Sequence, residues 1–274
     1  MTGAGPGGRP PGTPRSPLRA EAAAGAGLAE ECAQLLARVT ERVEQVLTSV
    51  TGLAATAEFI AEAARLAERP LRRDDFAALQ PLAESALRAH PDLAAGTGVV
   101  LAPGTLADAP RCIEWWWADQ QGRVSQLHVD LNPESAEFYD YTSTEWYREP
   151  ERTGQPWMAG PYVDFICTRQ YTFTLAAPVC CAGRFIGIAG ADILAGQVER
   201  LVLPGLARLG RTAVLTSGHG RVIASNSPGI PPGSPVARQP QAADLVPVAG
   251  PGDGRAGRLL PWTVLSTRGG RLGA

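Results

Sequence analysis

Two carboxylates and a crowd of aromatic rings carry the most chemistry in this sequence. Asp192 lies on a strand-like stretch from Arg184 to Ile193 and, by two-residue alternation, shares a face with Ile186 and Ile188. A carboxylate among isoleucines needs a partner, because burial drives an unpaired charge toward its neutral form. Asp164 ends the segment GPYVD, where it either caps a turn after Pro161 or joins Asp192. The run YDYTSTEWY adds Tyr139, Trp146 and Tyr147, and GPYVD adds Tyr162. Taken singly, such rings are more often core residues with a satisfied polar tip than ligand contacts. Brought together, they offer faces on which a cation stacks for about 0.5–2 kcal/mol. Two carboxylates beside them would accept charge-assisted hydrogen bonds from an ammonium N–H. The chemistry that suits this set is recognition of a small amine: a biogenic amine, a polyamine or a quaternary ammonium compound.

Composition removes many other chemistries. All 25 Lys+Arg residues among the 274 are arginine. Without lysine there is no phosphate-gripping P-loop Lys, no kinase strand Lys and no Schiff base. A balance of 25 cations against 27 anions gives no excess for a nucleic-acid backbone, so no nucleic-acid partner is expected. The histidines His90, His128 and His219 lie far apart and no CxxC pattern occurs, so neither a metal nor a cofactor is expected. Five cysteines without regular spacing, Cys32, Cys112, Cys167, Cys180 and Cys181, read as buried thiols of a reducing compartment. The window Leu175 to Leu194 contains Arg184 and Asp192, each costing about 2.5–3.5 kcal/mol at a bilayer centre, so no membrane span is expected there. With no apolar stretch in the first twenty residues, the expectation is a soluble, cytoplasmic protein.

The elements that must position these side chains follow from periodicity. Residues 1–20, half Gly and Pro, are expected to be a disordered tail. Leu28, Cys32, Leu35, Val39, Val43, Val46, Val50 and Leu53 recur in steps of three and four, which predicts a long helix over 21–70. That seam serves either as a spine packed on the rest of the chain or as a homodimeric coiled coil. A shorter helix is expected between Asp74 and Pro91. Strands are expected over 97–102, 112–118, 123–131, 170–179 and 184–193, the last two joined by the turn Ala182-Gly183. Consecutive strands without intervening helices give an antiparallel sheet and an α+β class. In Glu114-Trp115-Trp116-Trp117, alternation sends Trp115 and Trp117 to one face and Glu114 and Trp116 to the other; one pair packs on the spine and the other faces the pocket, with Glu114 and Trp116 an even guess for the pocket pair. A second set of strands is expected at 212–216, 221–225 and 262–267, with little regular structure over 226–258.

The segment from Tyr139 to Asp192 resembles the ligand-binding core of the double Cache (dCache) sensor family. Its aromatic run ending in WY, its PYVD turn, and its PV strand followed by GIAGAD match that family's pattern, and Tyr139, Trp146, Tyr147, Tyr162, Asp164 and Asp192 fall on the matching positions. The likeness extends over about residues 28–267 and implies a long spine helix with two PAS-like antiparallel-sheet modules. The implied division is a distal ligand-binding module over 71–203 and a smaller proximal module over 204–274. In the amino-acid-binding branch, the resemblance implies an Arg two residues before the Trp to hold the ligand carboxylate. Thr144 stands there instead, which turns the expectation from an amino acid toward an amine, unless Arg148 or Arg169 takes the place of that Arg and restores amino-acid binding. The implied function is a non-catalytic sensor that binds a small molecule and signals to a separate regulatory protein. An enzyme using Asp164 and Asp192 for acid–base work, and a degenerate Cache scaffold, are the alternatives.

Overall fold

A computed structural model describes residues 17–119, 121–165, 170–251 and 255–267. The chain begins with α1 (Pro17–Leu66), a helix of 50 residues. It is longer at its start than the periodicity predicts, because Pro17 to Ala20 are already helical; Pro fits a first helical turn, where its missing N–H is not needed. The rest of the predicted tail lies outside the described residues. Cys32, Leu35, Val39, Val43, Val46, Val50 and Leu53 are all buried in the chain's own core, so over this length the seam serves as a spine. By length and composition α1 could also cross a membrane over Gly25–Leu66, with a hydropathy of 1.2, but its apolar seam is engaged in the core.

After a short 3-10 turn comes α2 (Leu79–Ala89), which buries Leu79, Ala83 and Leu87. Six strands follow: β1 (Ala94–Leu101), β2 (Cys112–Ala118), β3 (Val124–Gln126), β4 (Trp157–Val163), β5 (Tyr171–Cys181) and β6 (Arg184–Leu194). They form one antiparallel sheet in the order β3-β2-β1-β6-β5-β4. The predicted 123–131 strand is only three residues long, and β4 was not predicted at all. Alternation sorts the side chains by face. Val99, Leu101, Trp116, Phe173, Leu175, Ala189 and Ile193 pack under α1 and α2. Val100, Ile113, Trp115, Ala176 and Ile188 face the other way, toward α3 (Glu145–Thr153) and the loop before it. At the β5–β6 turn, Ala182 and Gly183 both adopt positive φ, 48° and 75°, as a two-residue hairpin requires.

The helix α4 (Ala195–Arg208) leads to the second sheet, so the expected boundary at 203/204 falls inside a helix. That sheet comprises β7 (Ala213–Thr216), β8 (Val222–Ser225), β9 (Leu245–Ala249) and β10 (Thr263–Thr267) in the order β8-β7-β10-β9. β9 lies in the stretch expected to be irregular; it is an edge strand, the one place where Pro247 does not break a ladder on both sides. A short α5 (Arg255–Leu259) precedes β10. The rings of Phe173 and Trp262, 5.2 Å apart, join the two modules.

Candidate functional site

The face of the large sheet turned away from α1 holds a cavity of about 390 Å³ of atom-free space, mouth included. Its wall contains Tyr139, Trp146, Tyr162, Asp164 and Asp192 from the predicted set, together with Trp115 and Thr174. Val100, Ile113 and Leu127 complete it. The wall residues arrive from many elements: Trp115 from β2, Tyr162 from β4, Thr174 from β5, Asp192 from β6 and Trp146 from α3. No cationic side chain lines it among the described residues, which include Arg148 and leave out Arg169.

Two predicted residues are not in the wall. Tyr147 follows Trp146 on a helix, where consecutive side chains point about 100° apart. With Trp146 facing the cavity, Tyr147 turns into the core, 2% exposed, with its ring 5.5 Å from those of Tyr141 and Phe185. Thr144 sits at the start of α3 and spends its hydroxyl locally, donating to the Tyr141 carbonyl at 2.7 Å. Of the tryptophan run, Trp115 faces the cavity. Trp116 is buried in the core under the helices, and Trp117 lines a separate surface cleft. Glu114 is buried beside Trp116, where it accepts hydrogen bonds from Arg73 Nε at 2.6 Å and Gln126 Nε2 at 2.7 Å. It braces the segment before α2 and is not a pocket residue.

Asp192 is the electrostatic centre. Its register partners are Gly96 on β1 and Thr174 on β5, and only 7% of it is exposed. Asp192 Oδ1 accepts a hydrogen bond from Thr174 Oγ1 at 2.7 Å, and Thr174 Oγ1 lies 2.5 Å from the Tyr162 hydroxyl. Burial pushes the Asp192 carboxyl up to about 7, assisted by the negative charge of Asp164 and opposed by donors on Thr174 and Trp115. Burial and the neighbouring Asp192 also raise the Tyr162 hydroxyl well above the usual phenol range. Trp115 Nε1 is buried with no partner in good hydrogen-bonding geometry, yet it is near enough to favour the ionised form of Asp192. The close approach depends on glycine. A Cβ on Gly96 would stand 2.7 Å from Trp115 Nε1 and 3.3 Å from Asp192 Oδ2, and one on Gly190 would stand 3.1 Å from the Trp115 ring. Trp115 and these strand glycines were the signal missed: glycine inside a strand marks a place where something large comes near.

The described cysteines are free thiols. Cys32 and Cys112 are buried, and burial pushes their thiols up to about 11 and about 12. Cys180 and Cys181 are only half-buried, and Cys167 lies outside the described residues.

Residues 79–199, somewhat less than half of the chain, match the family model described as methyl-accepting chemotaxis protein-like, first PDC sensor domain. The match covers the segment that holds the large sheet. The whole chain has the double Cache fold of its structural neighbours. The extracellular domain of the histidine kinase mmHK1S-Z2 superposes with a TM-score of 0.62 at 15% identity, over 90% of this chain and 98% of that one. A methyl-accepting chemotaxis protein, "protein X", gives 0.60 at 18% identity over 91% and 98%. The ligand-binding domain of the Pseudomonas aeruginosa PAO1 amino acid chemoreceptor PctC, in complex with GABA, gives 0.58 at 19% identity over 89% and 99%. No curated protein sequence matches the chain. The family and these neighbours are sensor domains rather than enzymes, and the matched domain of the histidine kinase is its extracellular part, which gives no support to the cytoplasmic expectation. The cavity lies within the matched segment, on the sheet face away from the spine helix.

Proposed function

We propose that the matched segment senses a small molecule bearing a protonated amine, held in the cavity between Trp115, Trp146 and the Asp164–Asp192 pair. The observation that carries this reading is Asp192: a buried carboxylate with a proton affinity near neutrality, in an aromatic-walled cavity that no cation lines among the described residues. An ammonium ion supplies the missing positive charge, stacks on the rings and donates to the carboxylates. An amino acid is the second reading, favoured by the GABA complex of the PctC domain. GABA too carries an ammonium group; its carboxylate would have to sit at the mouth, since no arginine lines the wall among the described residues. The output partner is a separate signalling protein or domain reached through α1, and a second copy would pack on the outer face of α1, where Phe59 and Leu66 are 75% and 69% exposed. The test is a thermal-shift screen of amines and amino acids against the wild type and Asp192→Ala. At least one amine should raise the melting temperature of the wild type alone; no response to any member of either class would end the sensor reading.

A further inference from the structure

The three side chains at the carboxylate edge of the cavity form one hydrogen-bond chain, and its middle member has a single proton to give. Thr174 Oγ1 touches both Asp192 Oδ1, at 2.7 Å, and the Tyr162 hydroxyl, at 2.5 Å, and Thr174 is 2% exposed, so water does not intervene as a substitute donor. An ionised carboxylate only accepts hydrogen bonds. When Asp192 is ionised, the Thr174 proton must go to it, and the Tyr162 proton must then go to Thr174. Tyr162 is left with lone pairs, and no proton, toward the cavity. When Asp192 is protonated, the chain is free to run the other way and Tyr162 has its proton to offer.

We infer that Thr174 is a positioning residue which ties the charge of Asp192 to the hydrogen-bonding polarity of Tyr162, so that the ionised pocket presents an all-acceptor edge selecting ammonium ions that retain N–H bonds. The inference rests on the amine reading above and sharpens it: a primary ammonium satisfies both oxygens, whereas a trimethylated nitrogen of the same charge satisfies neither. The groups that face Asp192 from the surrounding elements are Thr174 on β5, Tyr162 on β4, Asp164 after β4, Trp115 on β2, and Tyr139, which acts through Tyr162. None of them carries a positive charge that would do the work of the ligand. Thr174 sits on an ordinary alternating strand, in register with Asp192, and nothing in the sequence pattern distinguishes it from Thr172.

The experiment uses two matched pairs of probes, ethanolamine with choline and γ-aminobutyrate with its N-trimethyl derivative. Affinities are measured by calorimetry between pH 5.5 and 8.5 on wild type, Thr174→Val, Thr174→Ser and Tyr162→Phe. The wild type should bind at least one primary ammonium tenfold or more tighter than its trimethyl counterpart. Thr174→Val removes a donor from the ionised carboxylate, so the pH midpoint of amine binding should rise by about one unit, and affinity at pH 7 should fall about fivefold. Thr174→Ser should restore both, which a purely structural role for the methyl group would not. Tyr162→Phe should weaken the primary amine while leaving the midpoint near its wild-type value. If the wild type binds a primary amine but Thr174→Val matches it in affinity and midpoint, or if trimethylation makes no difference, the inference is wrong and the amine reading stands. If the wild type binds none of the four probes and no amine in the thermal-shift screen, both fall together.

Discussion

On the proposed amine reading, protonation of Asp192 should make the affinity fall steeply in acid. In the empty cavity burial holds its carboxyl at about 7, so at neutral pH the site carries its proton about half the time. An ammonium ligand needs the ionised form and, once bound, lowers the proton affinity by direct charge contact. The apparent Kd is then multiplied by 1 + 10^(7 − pH), which is about 33 at pH 5.5 and about 1.1 at pH 8. Affinity should therefore drop about 30-fold between these values, equivalent to about 2 kcal/mol. The other groups in the wall leave this slope intact: Trp115 and Thr174 are not acids in the range, and Tyr162 is raised away from it. Calorimetry in two buffers of different ionisation enthalpy reads the effect twice, once in Kd and once as protons released, about 0.9 per ligand at pH 6 and about 0.1 at pH 8. Asp192→Asn should give a weak and flat profile. An affinity that stays constant from pH 8 to 5.5, or that rises on acidification, would refute the role given to this carboxylate.

The same group implies a cost to the fold. A carboxyl raised from 3.8 to about 7 binds its proton more tightly folded than unfolded, so the native state loses stability as pH climbs from about 4 to 7, by up to about 4 kcal/mol; Asp192→Asn should raise the melting temperature at pH 8 by several degrees, have much less effect at pH 4, and abolish the ligand response. The tryptophan run separates into three outcomes: Trp116→Ala should destabilise by about 3–5 kcal/mol in chemical denaturation, Trp115→Ala should chiefly remove amine binding, and Trp117→Ala should change neither much. Tyr147→Phe should bind amine like the wild type, since the ring packs on Phe185 and lies outside the cavity wall; a tenfold loss in a titration would put Tyr147 back in the site. Gly96→Ala places a methyl 2.7 Å from Trp115 Nε1 and should weaken amine binding while costing about 1–3 kcal/mol of stability, seen by titration and by denaturant unfolding.

What the sequence made legible follows from how local each signal is. Asp192 could be found because a carboxylate on an apolar strand breaks the pattern, and the structure places it in the cavity wall on the same face as Ile188; Ile186, which alternation put on that face too, packs under the helices beyond the irregularity at Gly187. The spine helix could be found because its three-four seam runs uninterrupted for many turns, although the seam alone does not say whether its partner is a sheet or another helix. The segment Glu145–Thr153 hid its helix behind Pro150 and five charged residues, yet its ends were marked: Thr144 precedes it with extended backbone, and Gly154 ends it at φ 64°, the left-handed turn that glycine supplies. That one helix decides the Tyr147 question, because its 100° step separates neighbours that a strand or loop reading would leave free to face the same ligand. β9 was concealed by the proline it carries, which is compatible only with a sheet edge.

Thr174 and Trp115 mark the boundary of what pattern can reveal. Both sit at unremarkable alternating positions, and their importance arises only when β2, β5 and β6 are laid side by side with β1 between the first and last. Gly96 then lies opposite Asp192, Thr174 lies opposite it on the other side, and the indole of Trp115 fills the space that Gly96 and Gly190 leave open. A carboxylate flanked by a hydroxyl, an indole N–H and two missing side chains is held in place before any ligand arrives, which reduces what binding must spend on ordering the site. The remaining lone pairs of Asp192 are therefore the part of the cavity that still lacks a partner of opposite charge. A positively charged ligand is the simplest completion of that arrangement, and the pH profile of its affinity is where the completion becomes measurable.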